Sequence, residues 1–595
     1  MPNDFSKENN RPYAVVDYND DNLLEVLHFG SFSKNDISRS YIYKYLCNFL
    51  KYKNRFGHKV KSIVVEKKYL SESYLKDYKH YYAESFNEYS KFTRRLHFFT
   101  EKIPNDDYFQ NIIINNSDES EELRASLIYN YIGYIVVKPI SSAILGATFL
   151  EPYPALAGIR SYSSIRKYPI NLFGHKVKRE ACVFQEQDQV VSACATASLW
   201  SALFITNKIF NNPIFSPSQI TKSAGLSSTG NRSFPSKGLQ NRQIALALKK
   251  AGLVTELRYI TTGATIVENQ NLKRIIYAYN KIGIPILLGY EFETLTNENS
   301  LCQDVVNQDI GNLDLDKNNN EDKTIKQDHL VTVIGYKVNI NESVSVEKQL
   351  SENRDFIEPH NDGLKLCADK IYKLYSHNDQ IGPYVRIKIK SNTTNEIVAW
   401  EIGNESQDGN VTCLIIPLIK IIRVKYEDVI SSVREISFVV DPTIEDMVDS
   451  EILDNNKFEW DVYLYKSNQY KKDILNDQTI RSKKIKSKVA FTSYPKYIWL
   501  ARCFRKDGKG KIQRLFDIIY DSSDAPKGFC CFQSNFFHQK FATRYLIALD
   551  ISFNKSSKIQ IEKGGFQILN ENHKAFFKAA HKNKELEFLK KLRQN

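Results

Sequence analysis

The chain has no CxxC pair. Its nine cysteines are Cys47, Cys182, Cys194, Cys302, Cys367, Cys413, Cys503, Cys530 and Cys531. That scatter signals neither a zinc site nor a thioredoxin-type motif, so no metal or cofactor is expected. The opening residues, Met1 to Asn10, are polar and charged and lack the apolar core of a secretory signal. No apolar run approaches the ~18 residues of a membrane span. The nearest, Ile128 to Leu150, contains Lys138 and Pro139. These absences predict a cytoplasmic chain with reduced thiols and no membrane partner. A concentrated basic stripe is lacking too. The net charge is +13, but the positive residues are spread along the whole sequence. The basic run from Lys578 to Arg593 also carries Glu585 and Glu587 and reads as an amphipathic helix. A solvated surface accounts for this charge, and nucleic acid is not expected as a partner.

With 595 residues, 42% hydrophobic and 25% charged, the chain can bury a real core. At roughly 100–200 residues per domain it should hold about three. The expected divisions are a mixed α/β segment 1–165, a central α+β segment 166–440 and an α/β segment 441–595. In the first, Ser62 to Glu66 is a short strand. Tyr74, Tyr78, Tyr82, Phe86 and Tyr89 form a packing stripe on one long helix, and Tyr131 to Val137 is a buried strand. The central segment is interrupted near 294–328 and 339–363 by polar stretches that read as surface insertions, the first of them mobile. In the last segment Tyr497 to Phe504 and Arg514 to Tyr520 are strands, and the tail from Asn570 is helical.

The chemistry concentrates in the centre. From Gln189 to Asn207 no residue is charged, and small residues flank Cys194. A helix apolar all round is buried, and a thiol at its start feels the positive end of the helix dipole, which favours the thiolate. A Gln a few residues upstream can donate to a carbonyl oxygen, beside the Cys194 amide. Gln185, Gln187 and Gln189 are candidates. A base must come from another segment. His329 opens HLVTVIGY, an apolar strand closed by Gly335, and the apolar run Gly283 to Leu288 is its natural neighbour. A residue to orient the imidazole should end the next strand, Ile371 to Tyr375. Asn378 or Asp379 can accept the ring N–H, Asp441 is a further candidate, and His377 is a rival base.

The order Gln187, Cys194, His329, Asn378/Asp379 resembles that of papain-like cysteine peptidases. The similar branch is the bacteriocin-leader-processing peptidases and their stand-alone relatives. Gly238 and Gly252 bracket a segment, GLQNRQIALALKKAGL, that fits the family's second helix, and Pro285 sits in its Pro-containing strand. Cys194 and His329 are 135 residues apart, within the ~130–150 of papain-type enzymes. The resemblance covers about a third of the chain. Two further segments, IGYIVVKPI at 132–140 and DQIGPY at 379–384, resemble uncharacterised bacterial proteins without assigned activity. Three features depart from the pattern. Ala195 stands where the bacteriocin-processing branch usually has Gly, the Gln187–Cys194 gap is one residue longer than in papain, and the third triad position is open. The resemblance implies a papain-like core, a central helix packed on an antiparallel sheet. It also implies a protein or peptide substrate cleaved through an acyl-enzyme. Deamidation, transglutamination or acyl transfer at the same site, or an idle interaction scaffold, are the alternatives. The oligomeric state is not legible.

Overall fold

The computed structural model describes residues 11–29, 33–51, 59–140, 143–154, 160–188, 190–225, 238–260, 271–295, 324–338, 364–391, 396–402, 405–445, 459–506, 512–523, 532–537, 559–562 and 565–568. The chain is mixed α+β and divides into two compact units. One comprises Met1–Ala264, Gly283–Lys337 and Tyr372–Leu418, the other Thr265–Ile282, Val338–Ile371 and Ile419–Asn595. The division expected at 165/166 is absent because one core spans it. Tyr13, Val64, Phe99, Phe109 and Tyr131 pack with Ile170, Leu172 and Val177 from beyond residue 165. The expected boundary at 440/441 falls inside the helix Tyr426–Glu445.

In the first unit β1 (Tyr13–Asp17), β2 (Ser62–Tyr69), β3 (Thr93–Phe99), β4 (Tyr131–Val137) and β5 (Leu145–Leu150) form an antiparallel sheet in chain order. The tyrosine stripe is not one long helix. The helix Glu72–His80 ends early, and a short 3-10 turn, Tyr82–Glu84, follows. Tyr74 and Tyr82 still bury into one cluster with Tyr78, Tyr81 and Tyr89, whereas Phe86 is fully exposed. The apolar run Ile128 to Leu150 is shared between the end of the helix Asp118–Asn130, β4 and β5. Among the described residues no helix is long and apolar enough to cross a membrane.

After β6 (Arg160–Ser161) and the hairpin of β7 (Arg166–Leu172) and β8 (His175–Ala181) comes the helix Cys194–Phe210. It is buried on nearly every side, as its charge-free sequence requires. Asn211, in the left-handed conformation, closes it. The helix Asn241–Lys250 lies within the GLQNRQIALALKKAGL segment.

The remaining sheet of this unit contains β9 (Val254–Tyr259), β10 (Ile286–Leu295) and β11 (Thr324–Val338). After β12 (Lys365–Leu366) of the second unit, it continues with β13 (Ile371–Asn378), β14 (Gly382–Ser391), β15 (Glu396–Ile402) and β16 (Glu405–Leu418). β16 pairs back onto β10, so β10, β11, β13, β14, β15 and β16 close into a ring. The pairings of β10 with β11 and β16, and of β13 through β16, are antiparallel. The expected insertion at 294–328 is shorter than its polar composition implies. Thr294 pairs with Ile325 and Leu295 with Thr324, so polar residues at both ends belong to a ladder. Gly335 lies inside β11 rather than closing it. A side-chain carbon there would come within 2.4 Å of the Ser161 carbonyl, so glycine permits the approach of β6. Residues 296–323, the expected insertion 339–363 and the tail from Asn570 lie outside the described residues.

The second unit is built on a sheet ordered β12, β17 (Glu459–Lys466), β18 (Tyr497–Lys506), β19 (Ile512–Asp521), β20 (Phe532–Phe536), β22 (Gly565–Ile568), β21 (Ile559–Glu562). The two aromatic strands expected at 497–504 and 514–520 are β18 and β19. Asp461, Arg502, Asp517 and Asn535 lie side by side across four strands. Arg502 and Arg514 both reach the buried Asp517 carboxylate and hold it below its ordinary range.

Candidate active site

The helix begins at Cys194. Its N-cap is Ala193, in extended conformation and without a side-chain hydrogen bond. The N-cap side chain thus bonds none of the first-turn amides, and the positive end of the helix dipole lies at Cys194. Cys194 is half-buried, whereas Cys47, Cys182, Cys413 and Cys503 are buried. Burial pushes the Cys182 thiol up to about 12 and the Cys47 thiol up to about 11. Cys367 is also half-buried, but burial followed by Asp461 and Glu459 raises it well above the ordinary thiol value.

His329 lies within β11, directly opposite Tyr290 of β10. Its side chain is 2% exposed. Nε2 stands 3.3 Å from Oδ1 of Asn378, the last residue of β13. The backbone N–H of Gln380 also donates to that Oδ1, at 3.0 Å, while Nδ2 of Asn378 donates to the Tyr290 hydroxyl at 3.4 Å. A backbone N–H can only donate, so these contacts settle which amide atom is oxygen. An imidazole nitrogen hydrogen-bonded to that oxygen must carry the proton. Nε2 is therefore the N–H and Nδ1 the basic nitrogen. The Tyr290 ring packs edge-on against the imidazole, centroids 5.3 Å apart, and shields this bond.

Asp379 places Oδ1 3.4 Å from the same Nε2. Neither Asp379 oxygen accepts a hydrogen bond among the described residues, so this contact is proximity rather than an aligned bond. Burial pushes the Asp379 carboxyl up to about 8, with its own backbone amide opposing and Glu186 adding to the rise. Burial lowers His329 to about 4, against the opposing hydrogen bond from Asn378. Between these values the resting pair is a neutral imidazole beside a neutral carboxylic acid.

Two hydrogen bonds tie the cysteine helix to the histidine strand. Ser198 Oγ donates to the Leu330 carbonyl at 2.7 Å, and Thr332 Oγ1 donates to the Ser198 carbonyl at 2.9 Å. Ser198 is one helical turn, about 6 Å, beyond Cys194, and Leu330 adjoins His329. Cys194, His329, Asn378 and Asp379 thus belong to one unit, on elements joined to one another.

The other residues singled out by sequence fall variously. Gln187 is half-exposed in the loop before Cys194, Gln185 is buried, and Gln189 lies outside the described residues. His377 is a core residue. Its Nδ1 accepts from the Tyr384 amide at 3.3 Å, its ring packs on Phe184 and Tyr384, and burial lowers it to about 3. Asp441 belongs to the helix Tyr426–Glu445 of the second unit, while the acceptors beside His329 come from the first. Among the described residues no cluster of His, Cys, Asp or Glu could hold a metal ion.

No family model, no curated protein and no solved structure matches the chain. The DQIGPY segment has a structural explanation. A side-chain carbon at Gly382 would come within 2.4 Å of the Tyr45 ring. Tyr384 adopts φ 60° and bridges the Cys182 amide and the Leu150 carbonyl, at 2.8 Å each. Two site residues were not anticipated. Tyr290 ends the apolar run before β10's polar half, a position that does not distinguish a core tyrosine from a shield. Asp188 carries no mark in the sequence beyond standing next to Gln187.

Proposed function

We propose that this chain is a papain-like cysteine peptidase acting on proteins or peptides. The observation that carries the reading is the fixed tautomer of His329, with Nε2–H on Asn378 and Nδ1 left basic. A general base in a thiol enzyme needs that arrangement: one nitrogen oriented by an acceptor, the other free to take the thiol proton. A half-buried thiol at the uncapped start of a buried helix supplies the nucleophile. The ring of strands beside that helix is compatible with a papain-like core. In this reading Cys194 attacks the scissile carbonyl and Nδ1 of His329 takes its proton. That proton then passes to the departing amine, leaving a thioester that water hydrolyses with His329 again as base. The Cys194 amide and the Gln187 side chain receive the oxyanion. None of the described cysteines forms a disulfide, which fits a reducing, cytoplasmic setting.

The test is labelling with a peptidyl epoxide, an electrophile that requires an activated thiol, followed by mapping of the modified residue. Modification confined to Cys194, and lost in His329→Ala, is the expected result. Labelling of Cys194 that is indifferent to His329, or none at all, overturns the proposal.

A further inference from the structure

The loop entering Cys194 is organised by one carboxylate. Oδ1 of Asp188 accepts three successive backbone N–H groups, from Val190 at 3.1 Å, Val191 at 2.8 Å and Ser192 at 2.8 Å. The Asp188 amide donates to the Ser192 carbonyl at 3.1 Å and closes the loop on itself. The other oxygen, Oδ2, accepts from the Tyr82 hydroxyl at 2.8 Å. Both residues are buried, Asp188 at 3% and Tyr82 at 4% exposure. Tyr82 is held in turn by the tyrosine cluster, its ring edge-on to Tyr81 and Tyr89. A second brace reaches the same loop, since Thr221 Oγ1 donates to the Val191 carbonyl at 2.8 Å. Thr221 lies on the helix Pro217–Ser223, and the amide of Ser218 in its first turn donates to Asp77 of the tyrosine helix at 2.9 Å. Both of these braces on residues 190–192 thus lead back to the segment Glu72–Tyr89.

We infer that Asp188, aimed by Tyr82, is a positioning residue for Cys194, and that the N-terminal tyrosine cluster sets the nucleophile's loop. The inference rests on the cysteine-peptidase reading. The Cys194 amide is the expected backbone donor to the oxyanion, and its direction depends on the conformation of Val190 to Ala193 immediately before it. Acyl transfer is sensitive to displacements on the order of 1 Å at such a donor. A carboxylate binding three consecutive amides pins those residues more tightly than the chain's own turn bond does. Asp188 touches neither substrate nor reacting atoms in this account; it acts through the loop. This also explains the tyrosine stripe, which otherwise reads as plain packing.

The test uses the full chain and two thiol reagents. Inactivation by a peptidyl epoxide is resolved into KI and kinact, and alkylation of Cys194 by iodoacetamide is followed by mass spectrometry. Asp188→Ala should lower kinact on the order of tenfold, because it removes the acceptor of three backbone N–H groups, while KI stays within about threefold. Asp188→Asn keeps an oxygen for the three amides and should recover most of the rate. Tyr82→Phe should fall between them, and it carries the test if Asp188→Ala does not fold. A role in stability alone would lower the melting temperature without separating kinact from KI, and that result overturns the inference. So does Asp188→Asn behaving as badly as Asp188→Ala. If the epoxide fails on the unsubstituted chain, the peptidase reading falls. Slower iodoacetamide alkylation of Cys194 in Tyr82→Phe would then still support the positioning role, and an unchanged rate would end it.

Discussion

Asn378 and Asp379, adjacent in the chain, offer two different acceptors to one nitrogen of His329. The amide oxygen is at 3.3 Å and is hydrogen-bonded; the carboxyl oxygen is at 3.4 Å and is not. The first suits a neutral imidazole, which has one N–H to give. The second becomes favourable when the ring gains a proton, because a carboxylate 3.4 Å from an imidazolium is attracted to it. In the proposed mechanism Asn378 would serve the neutral imidazole, and Asp379, once ionised, the imidazolium.

Asp379→Asn should stabilise the fold in a pH-dependent way. The folded Asp379 carboxyl is raised to about 8, against ~3.9 unfolded. A group raised in the folded state has its stabilising contribution intact below the unfolded value and loses it as pH climbs towards the folded one. The variant should gain on the parent between about pH 4 and 8, by on the order of 1–3 kcal/mol at the upper end. His329 works in the opposite sense. It is lowered to about 4, so its contribution is present above ~6.5 and is lost as pH falls. Urea unfolding at pH 5 and pH 8 measures the difference. Equal gains at both values would mean that Asp379 is ionised throughout.

Cys194→Ala should abolish epoxide labelling and cost less than about 1 kcal/mol, because it deletes one half-buried sulfur atom. His329→Ala should be comparably inactive, since nucleophile and base act as a unit. Thermal unfolding measured alongside labelling separates loss of chemistry from loss of fold.

Tyr290→Phe should leave labelling within roughly threefold, because the contact of its hydroxyl with Asn378 is long, at 3.4 Å. Tyr290→Ala should cost on the order of tenfold or more, since water then competes for the bond between His329 and Asn378. Equal effects of the two substitutions would assign the role to the hydroxyl rather than the ring.

Ser198→Ala should destabilise the fold by ~1 kcal/mol through loss of its bond to the Leu330 carbonyl. Thr332→Val removes the reciprocal bond at similar cost. Both bonds involve Ser198, one through its hydroxyl and one through its carbonyl, so a double-mutant cycle by denaturant unfolding should show coupling of ~0.5 kcal/mol or more. Strict additivity would show that the two bonds act independently of one another.

The start of the cysteine helix was legible because nineteen residues without charge, with small side chains beside Cys194, leave few folds other than a buried helix. The strand through Leu330 to Ile334 was legible from its β-branched run. Its true start was not, because Thr324 to Asp328 are polar apart from Ile325 and become a strand only through their pairing with β10. The helix Asn271–Asn280 lies between segments of the first unit in sequence yet belongs to the second. Composition carries no record of such long-range grouping.

By itself the sequence determined where the groups proposed for the chemistry stand in local structure: a thiol at a helix start, an imidazole on an apolar strand, and an amide and a carboxyl side by side. Those follow from local pattern, since periodicity and the absence of charge act over a few residues. Tertiary structure alone decided the rest. It closed β16 onto β10, buried His377 while setting His329 against Asn378, and used Tyr82 to hold the carboxylate that shapes the loop before Cys194. These are contacts between residues up to about a hundred positions or more apart, and only the packed core brings them within bonding distance.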